Sequence, residues 1–136
     1  MANDFDGLVM AAQFGQNKMA EHDLWKAAFN CGAWYFVADQ TGDDAAPVVG
    51  AMDGKPYLIA FTDEERAERF SADRARKRGG EATPVLHMEV AEAIEYAVSL
   101  RDHGVEGMLF NNGGYSFHGL SGQIAEMHNR YGRSGG

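Results

Sequence analysis

The chain is 136 residues long, carries a formal net charge of −8 and contains a single cysteine, Cys31. This length suits one domain with one apolar core, and one cysteine excludes a disulfide within the chain. The acidic balance disfavours a broad phosphate-binding face and an anionic membrane surface. No apolar run approaches the roughly 20 residues that span a bilayer, and Asp4 and Asp6 argue against a secretory signal. We therefore expect a cytoplasmic protein without a membrane partner.

The first half of the chain predicts a helix followed by three strands. A helix is predicted over 20–30 because its apolar residues share one stripe. A strand rich in aromatic and β-branched residues is predicted over 34–38. Strands over 47–52 and 56–61 are joined by Asp53-Gly54, a strong signal for a tight turn. The short connections predict an antiparallel meander.

The third strand runs directly into an acidic helix start. Thr62 and Glu65 have the spacing of a capping box, in which the Thr62 hydroxyl accepts from the Glu65 amide and the Glu65 carboxylate accepts from the Thr62 amide. Asp63 and Glu64 add negative charge at the positive end of the helix dipole. We therefore expect a helix over 62–77.

The second half alternates strands and helices, with glycines at the ends of the helices. A strand is predicted over 83–88 and a helix over 89–103, where apolar residues recur at four-residue steps. A strand over 107–110 leads to a turn over 111–114. The last predicted helix covers 120–131.

These elements predict a single α+β domain. We expect a mixed, roughly five-stranded sheet that begins with the antiparallel meander and is packed by three to four helices. The domain is predicted over 19–131, preceded by an arm or helix over 1–18 and followed by a flexible tail over 132–136.

Two segments resemble the N-terminal domain of the bacterial SseB (enhanced serine sensitivity) proteins. One is Leu58-Ile59-Ala60-Phe61-Thr62-Asp63-Glu64-Glu65, a strand that ends at an acidic helix start. The other is Gly107-Met108-Leu109-Phe110-Asn111, a glycine before a short apolar strand that ends in asparagine. The resemblance covers about 20–120, but Asn112-Gly113-Gly114 stands where that family tends to have proline after the asparagine. It implies an intracellular α/β or α+β domain with no established catalytic residues.

Cysteine and histidine are the candidate reactive or metal-binding residues of the chain. Cys31 falls at the predicted C-terminus of a helix, where the dipole disfavours a thiolate, so it is better explained as a small buried apolar residue. The four-residue spacing that marks a zinc site is absent from the histidines, which are His22, His87, His103, His118 and His128. We therefore predict no catalytic residue, metal or cofactor.

A basic stretch over 66–78 admits two interpretations. It holds half of the 12 basic residues of the chain, namely Arg66, Arg69, Arg74, Arg76, Lys77 and Arg78. One interpretation is a nucleic-acid-binding face. The other is a solvated helix with acids at its start and bases at its end, as the dipole favours. No aromatic residues are interleaved for stacking on bases.

The loop over 111–118 is the candidate ligand-binding segment. Backbone amides and asparagine side chains after a buried strand can hold a small anion, although the same residues suit a tight turn. The candidate ligand-binding residues are Asn111, Asn112, Gly113, Gly114, Tyr115 and His118.

Three functions therefore remain open. The first is a non-enzymatic, SseB-like module that binds another protein or forms a homodimer. The alternative is a sensor or enzyme that binds a small molecule or anion through the 111–118 loop. The second alternative is a weak nucleic-acid binder that uses the basic helix over 66–78.

Overall fold

The computed structural model describes residue 9 and residues 18–112 and 116–131, with only the backbone described for 18–22 and 131. The predicted arm, except residues 9 and 18, and the predicted tail lie outside the described residues. The helices are α1 (Lys18–Phe29), α2 (Glu64–Arg78), α3 (Val90–Ser99) and α4 (Ser121–Tyr131), with a 3-10 turn over Leu100–His103. The strands are β1 (Ala33–Val37), β2 (Val49–Met52), β3 (Lys55–Ala60), β4 (Val85–Glu89), β5 (Gly107–Phe110) and β6 (Phe117–Leu120).

The strands form two sheets that meet at β1. The larger sheet has the order β2-β3-β5-β6, in which β3 and β5 are parallel and the outer pairs are antiparallel. The smaller sheet is the antiparallel pair β1-β4. Single bridges join β1 to the larger sheet, between Tyr35 and Phe61 and between Ala38 and Pro47. The predicted α+β class with a mixed sheet is confirmed.

The strand count differs from the expected one. The described residues contain six strands in two sheets, where we expected about five strands in one. The additional strand is β6, whose four residues include Gly119 and are too short to show a clear alternation in the sequence. Of the predicted meander, β2 and β3 are antiparallel neighbours. β1 lies in the smaller sheet and meets the segment before β2 through the antiparallel Ala38–Pro47 bridge and the bond from the Val48 amide to the Val37 carbonyl.

The central strands β3 and β5 are buried on both faces. Residues 57–60 and all four residues of β5 are buried, as expected for strands that are apolar at successive positions. On one face, the core between the sheets and α1, α3 and α4 contains Trp25, Trp34, Leu58, Phe110 and Ile124. On the other face, a smaller core beneath α2 contains Val37, Ile59, Phe61, Ala67 and Leu109.

The turn and helix ends follow the sequence signals with one exception. Asp53 and Gly54 have φ values of 54° and 79°, the positive pair that a type I′ hairpin turn requires. Gly79 ends α2 in the left-handed conformation at φ 71°.

The predicted capping box at Thr62 and Glu65 is wrong. The N-cap is Asp63, whose carboxylate accepts from the amide of Arg66 at 2.8 Å. The Thr62 amide instead donates to the Asn111 side chain at 3.0 Å. Asn111 thus accepts from the Thr62 amide, which the Glu65 carboxylate would have bound in a capping box. The N-cap is therefore Asp63, one residue later than predicted.

Gly107 provides a test of the contact between β5 and β6. A Cβ at this position would lie 2.1 Å from the Gly119 carbonyl oxygen and 2.8 Å from the Leu120 Cα. Because both are backbone atoms, the clash cannot be relieved by a side-chain rotation. We expect Gly107→Ala to lower the free energy of unfolding by about 3 kcal/mol, measured by urea denaturation.

The matched control is Gly80→Ala, since a Cβ there has no heavy atom within 4 Å. It should leave stability within about 0.5 kcal/mol of the parent. Equal stabilities for the two variants would contradict the described packing of β5 on β6.

Candidate functional site

The described residues of the 111–118 segment do not converge. Asn111 is buried at the end of β5, and Asn112 is exposed. His118 is exposed on β6, with its ring 6.0 Å from that of Tyr57. The remaining predicted residues of this segment, Gly113, Gly114 and Tyr115, lie outside the described residues. Ligand binding by this loop stays a prediction.

The Asn111 side chain makes a buried structural link. Its Oδ1 accepts from the Thr62 amide at 3.0 Å, and its Nδ2 donates to the Thr62 hydroxyl at 3.1 Å. The Asn111 amide also donates to the Ala60 carbonyl at 2.9 Å. The residue has φ 58°, a conformation that asparagine tolerates better than most residues. Asn111 thereby ties together the ends of β3 and β5.

A surface depression of about 650 Å³ lies at the opposite end of the sheet. It is lined by residues next to the start of β5, including Val98, Arg101, Asp102, Val105 and Leu120. The Arg101 and Asp102 side chains are exposed, so water competes for their charges. None of Asn111, Asn112 and His118 lines this depression.

The Cys31 thiol is half-buried and lies within hydrogen-bond distance of two backbone carbonyls. Its Sγ contacts the carbonyl oxygens of Ala28 at 3.0 Å and Ala33 at 3.3 Å. Burial raises the pKa of this thiol above its ordinary value, against the lowering effect of hydrogen bonding with Trp34. A raised pKa leaves less thiolate at neutral pH, the opposite of what a nucleophilic cysteine needs.

The histidines whose side chains are described lie apart, each beside an aromatic ring or in solvent. The His87 ring lies 6.2 Å from Tyr35, and the His128 ring lies 5.3 Å from Phe29. Within the ranges that the structure describes, no three metal-ligating side chains cluster.

Three of the five arginines of α2 pair with acids of the same helix or of its N-cap. Arg66 pairs with Asp63 at 2.6 Å, and Arg69 pairs with Glu65 at 2.9 Å. Arg76 pairs with Asp73. These pairs favour the interpretation of a solvated helix face, because charges that are neutralised locally are weaker attractants for phosphates.

The outer edge of β4 carries unpaired backbone groups. Tyr35 lies opposite His87 and exchanges both of its backbone hydrogen bonds with Phe61, at 2.8 Å each. Opposite residues of an antiparallel pair turn their backbone groups either toward each other or away from each other. Because Tyr35 turns its groups away from β4, the amide and carbonyl of His87 face away from β1. The same register turns Val85 outward, since its partner Val37 accepts from the Val48 amide. Val85 and His87 have no backbone partner in the described part of the chain.

Helices α2 and α3 pack on opposite faces of β4. On β4, Val85 packs into the core beneath α2. Leu86 and Met88 pack into the core beneath α3. The outer edge of β4 therefore lies between the faces covered by these two helices. We call this edge, with the adjoining sides of α2 and α3, the β4 cleft.

The first half of the α2 wall of the β4 cleft is acidic. The Ser71 hydroxyl donates to the Thr83 carbonyl at 2.7 Å, just before β4. Ser71 therefore marks the side of α2 that faces β4. Glu64 and Glu68 precede Ser71 at helical spacing and share this side, and both are exposed.

The wall on the α3 side is mixed. Val98 lines the depression near β6, so the opposite flank of α3, which bears Glu92 and Tyr96, faces the β4 cleft. Glu92 is exposed and Tyr96 is half-buried. The walls thus combine acidic side chains with one aromatic ring.

Negative charge predominates beside the β4 cleft, although Arg74 and Arg78 follow Ser71 at helical spacing on the same side of α2. Residues 79–100 contain four acids and no lysine or arginine. Among the described side chains, no ion pair is made by Glu64, Glu68, Glu89 or Glu92. This charge pattern was visible in the sequence, but its position beside an open strand edge was not.

The other two open edges are shorter. The Ser121 amide donates to the Glu106 carbonyl, which turns the Leu120 amide outward, where it donates to Gln123 Oε1 at 3.3 Å. On β2, the Ile59 amide donates to the Val48 carbonyl, which fixes the alternation of the backbone groups along the strand. Only Val49 and Ala51 then turn their backbone groups outward. Neither edge lies between two helices in the described fold.

No protein-family model matches the chain, and no curated protein matches it. Membership of the SseB family therefore stays a prediction. Among the described residues, no helix has both the length and the apolar character needed to cross a membrane.

Asn111 gives a testable stability effect. We expect Asn111→Ala to lower the free energy of unfolding by about 3 kcal/mol, because Thr62 loses its buried partners and alanine is strained at positive φ. Asn111→Gly removes the same hydrogen bonds without that strain, so it should lose about 1 kcal/mol less. Urea denaturation measures both, and a loss below about 0.5 kcal/mol for Asn111→Ala would contradict the buried link.

Cys31 gives a pH-dependent effect. Because its raised pKa reduces the thiolate fraction, iodoacetamide should alkylate the native protein more slowly at pH 8 than the same chain unfolded in urea. The native rate should continue to rise as pH passes 9.0, the ordinary thiol value. A native rate at pH 7 equal to that of the unfolded chain would contradict this assignment.

Proposed function

We propose that this chain is a protein-binding domain that accepts an extended segment of a partner along the outer edge of β4. The observation that carries the proposal is the outward orientation of the backbone groups of Val85 and His87. An added strand supplies the missing hydrogen-bond partners, and pockets beside the edge select its side chains.

The composition of β4 supports this role. Sheet edges that are not used for binding are commonly protected by lysine, proline or a bulge. The five residues of β4 contain neither lysine nor proline, and their register with β1 is regular throughout. This edge therefore carries no lysine, proline or bulge within Val85–Glu89.

The proposal includes a cytoplasmic, SseB-like domain without catalytic residues. The order of helix, aromatic strand, hairpin and acidic helix start supports the resemblance. A single half-buried thiol suits a reducing compartment. Ligand binding by the 111–118 loop and nucleic-acid binding by the basic helix stay as alternatives, and no contact among the described residues favours them.

The outward amide of His87 can be removed without disturbing β4. Proline is tolerated on an edge strand where the amide faces solvent, so His87→Pro should fold and lose one donor. His87→Ala retains the donor. Ala51→Pro makes the equivalent change on the outer edge of β2.

The probe is an acetylated and amidated peptide in which valine and serine alternate, titrated by calorimetry. We expect His87→Pro to weaken its binding about tenfold, since an unpaired backbone group costs about 1.4 kcal/mol. His87→Ala and Ala51→Pro should bind as the parent does. Unchanged binding by His87→Pro, or loss through Ala51→Pro instead, would reject β4 as the site.

A further inference from the structure

We propose that the partner segment is a strand with basic residues facing α2 and apolar residues facing α3. This inference rests on the proposed function and specifies the chemistry of the partner. Successive side chains of a strand point to opposite faces, so an added strand presents one set of side chains to each wall of the β4 cleft.

The α2 side of the β4 cleft selects positive charge. Glu89 lies on β4 at the same face as Val85 and His87, two residues apart along the strand. Glu64 and Glu68 stand one helical turn apart on the neighbouring flank of α2. All three carboxylates are exposed, and none of them forms an ion pair within the described ranges. Lysine or arginine on the added strand would supply the missing counter-charges.

The α3 side selects apolar side chains. Leu86 and Met88 alternate with the outward-facing residues of β4 and are half-buried against the larger core. Tyr96 is also half-buried and packs on that core. A small or branched apolar residue on the added strand would cover the parts of these side chains that remain in contact with water.

A second copy of the chain fits the β4 cleft poorly. Antiparallel pairing of two β4 strands would bring two acidic walls together, and each copy carries a net charge of −8. Like charges across an interface oppose association. Charge complementarity therefore favours a basic partner over self-pairing.

The experiment compares three peptides in which valine alternates with lysine, serine or glutamate. We expect the lysine peptide to bind the parent at least tenfold more tightly than the serine peptide and the glutamate peptide to bind most weakly. The triple variant Glu64→Gln, Glu68→Gln, Glu89→Gln should weaken binding of the lysine peptide about threefold for each carboxylate removed.

The matched control is Asp43→Asn, Asp44→Asn, Asp102→Asn, which removes the same charge from exposed acids elsewhere. It should change binding of the lysine peptide less than twofold. A lysine peptide methylated on its backbone nitrogens keeps its charge but loses its donors, so it should not bind. Retained binding by that peptide would indicate non-specific attraction and overturn the inference.

The outcomes separate this inference from the proposed function. Equal binding of the lysine and serine peptides, lost in His87→Pro, would overturn the basic partner and leave strand addition intact. Binding of the lysine peptide that is unaffected by His87→Pro would overturn both. Sedimentation that shows a dimer of the parent and a monomer of His87→Pro would identify a second copy as the occupant and overturn the basic partner.

Discussion

The parallel pairing of β3 and β5 is the constraint on which the rest of the structure depends. Both strands are buried on two faces, and the Thr62–Asn111 hydrogen bonds join their ends. Parallel neighbours cannot be connected by a tight turn, so the chain over 61–106 must cross from one end of the sheet to the other. That crossover contains α2 and α3, which cover opposite faces of the fold, and β4, which lies between them in the chain.

The position of β4 follows from this crossover. The chain crosses one face as α2, passes through β4, and returns along the other face as α3. β4 pairs with β1, whose other edge is already occupied near Phe61 and Val48. The second edge of β4 is left between the two helices. The open edge of β4, on which the proposed function rests, therefore results from the topology. The acidic side chains beside that edge come instead from the sequences of α2 and of 79–100.

Local signals in the sequence predicted much of the fold but little of the candidate site. Asp53-Gly54 and Gly79 impose positive φ, so the hairpin turn and the end of α2 could be located without tertiary information. Thr62 misled the prediction because its partner Asn111 lies 49 residues away. His87 could not be recognised as an edge residue from its neighbours, since only the register with Tyr35 reveals where its amide points.

The hydrogen bond from the Leu120 amide to Gln123 has a consequence for higher assembly. Open-ended stacking of sheets into fibres requires each molecule to offer two compatible borders, one for the molecule before it and one for the molecule after it. Gln123, in the first turn of α4, takes the outward Leu120 amide of β6 from within the same chain. A strand added at β6 would have to displace this bond, so the β6 edge is a weaker template for stacking than the edge of β4.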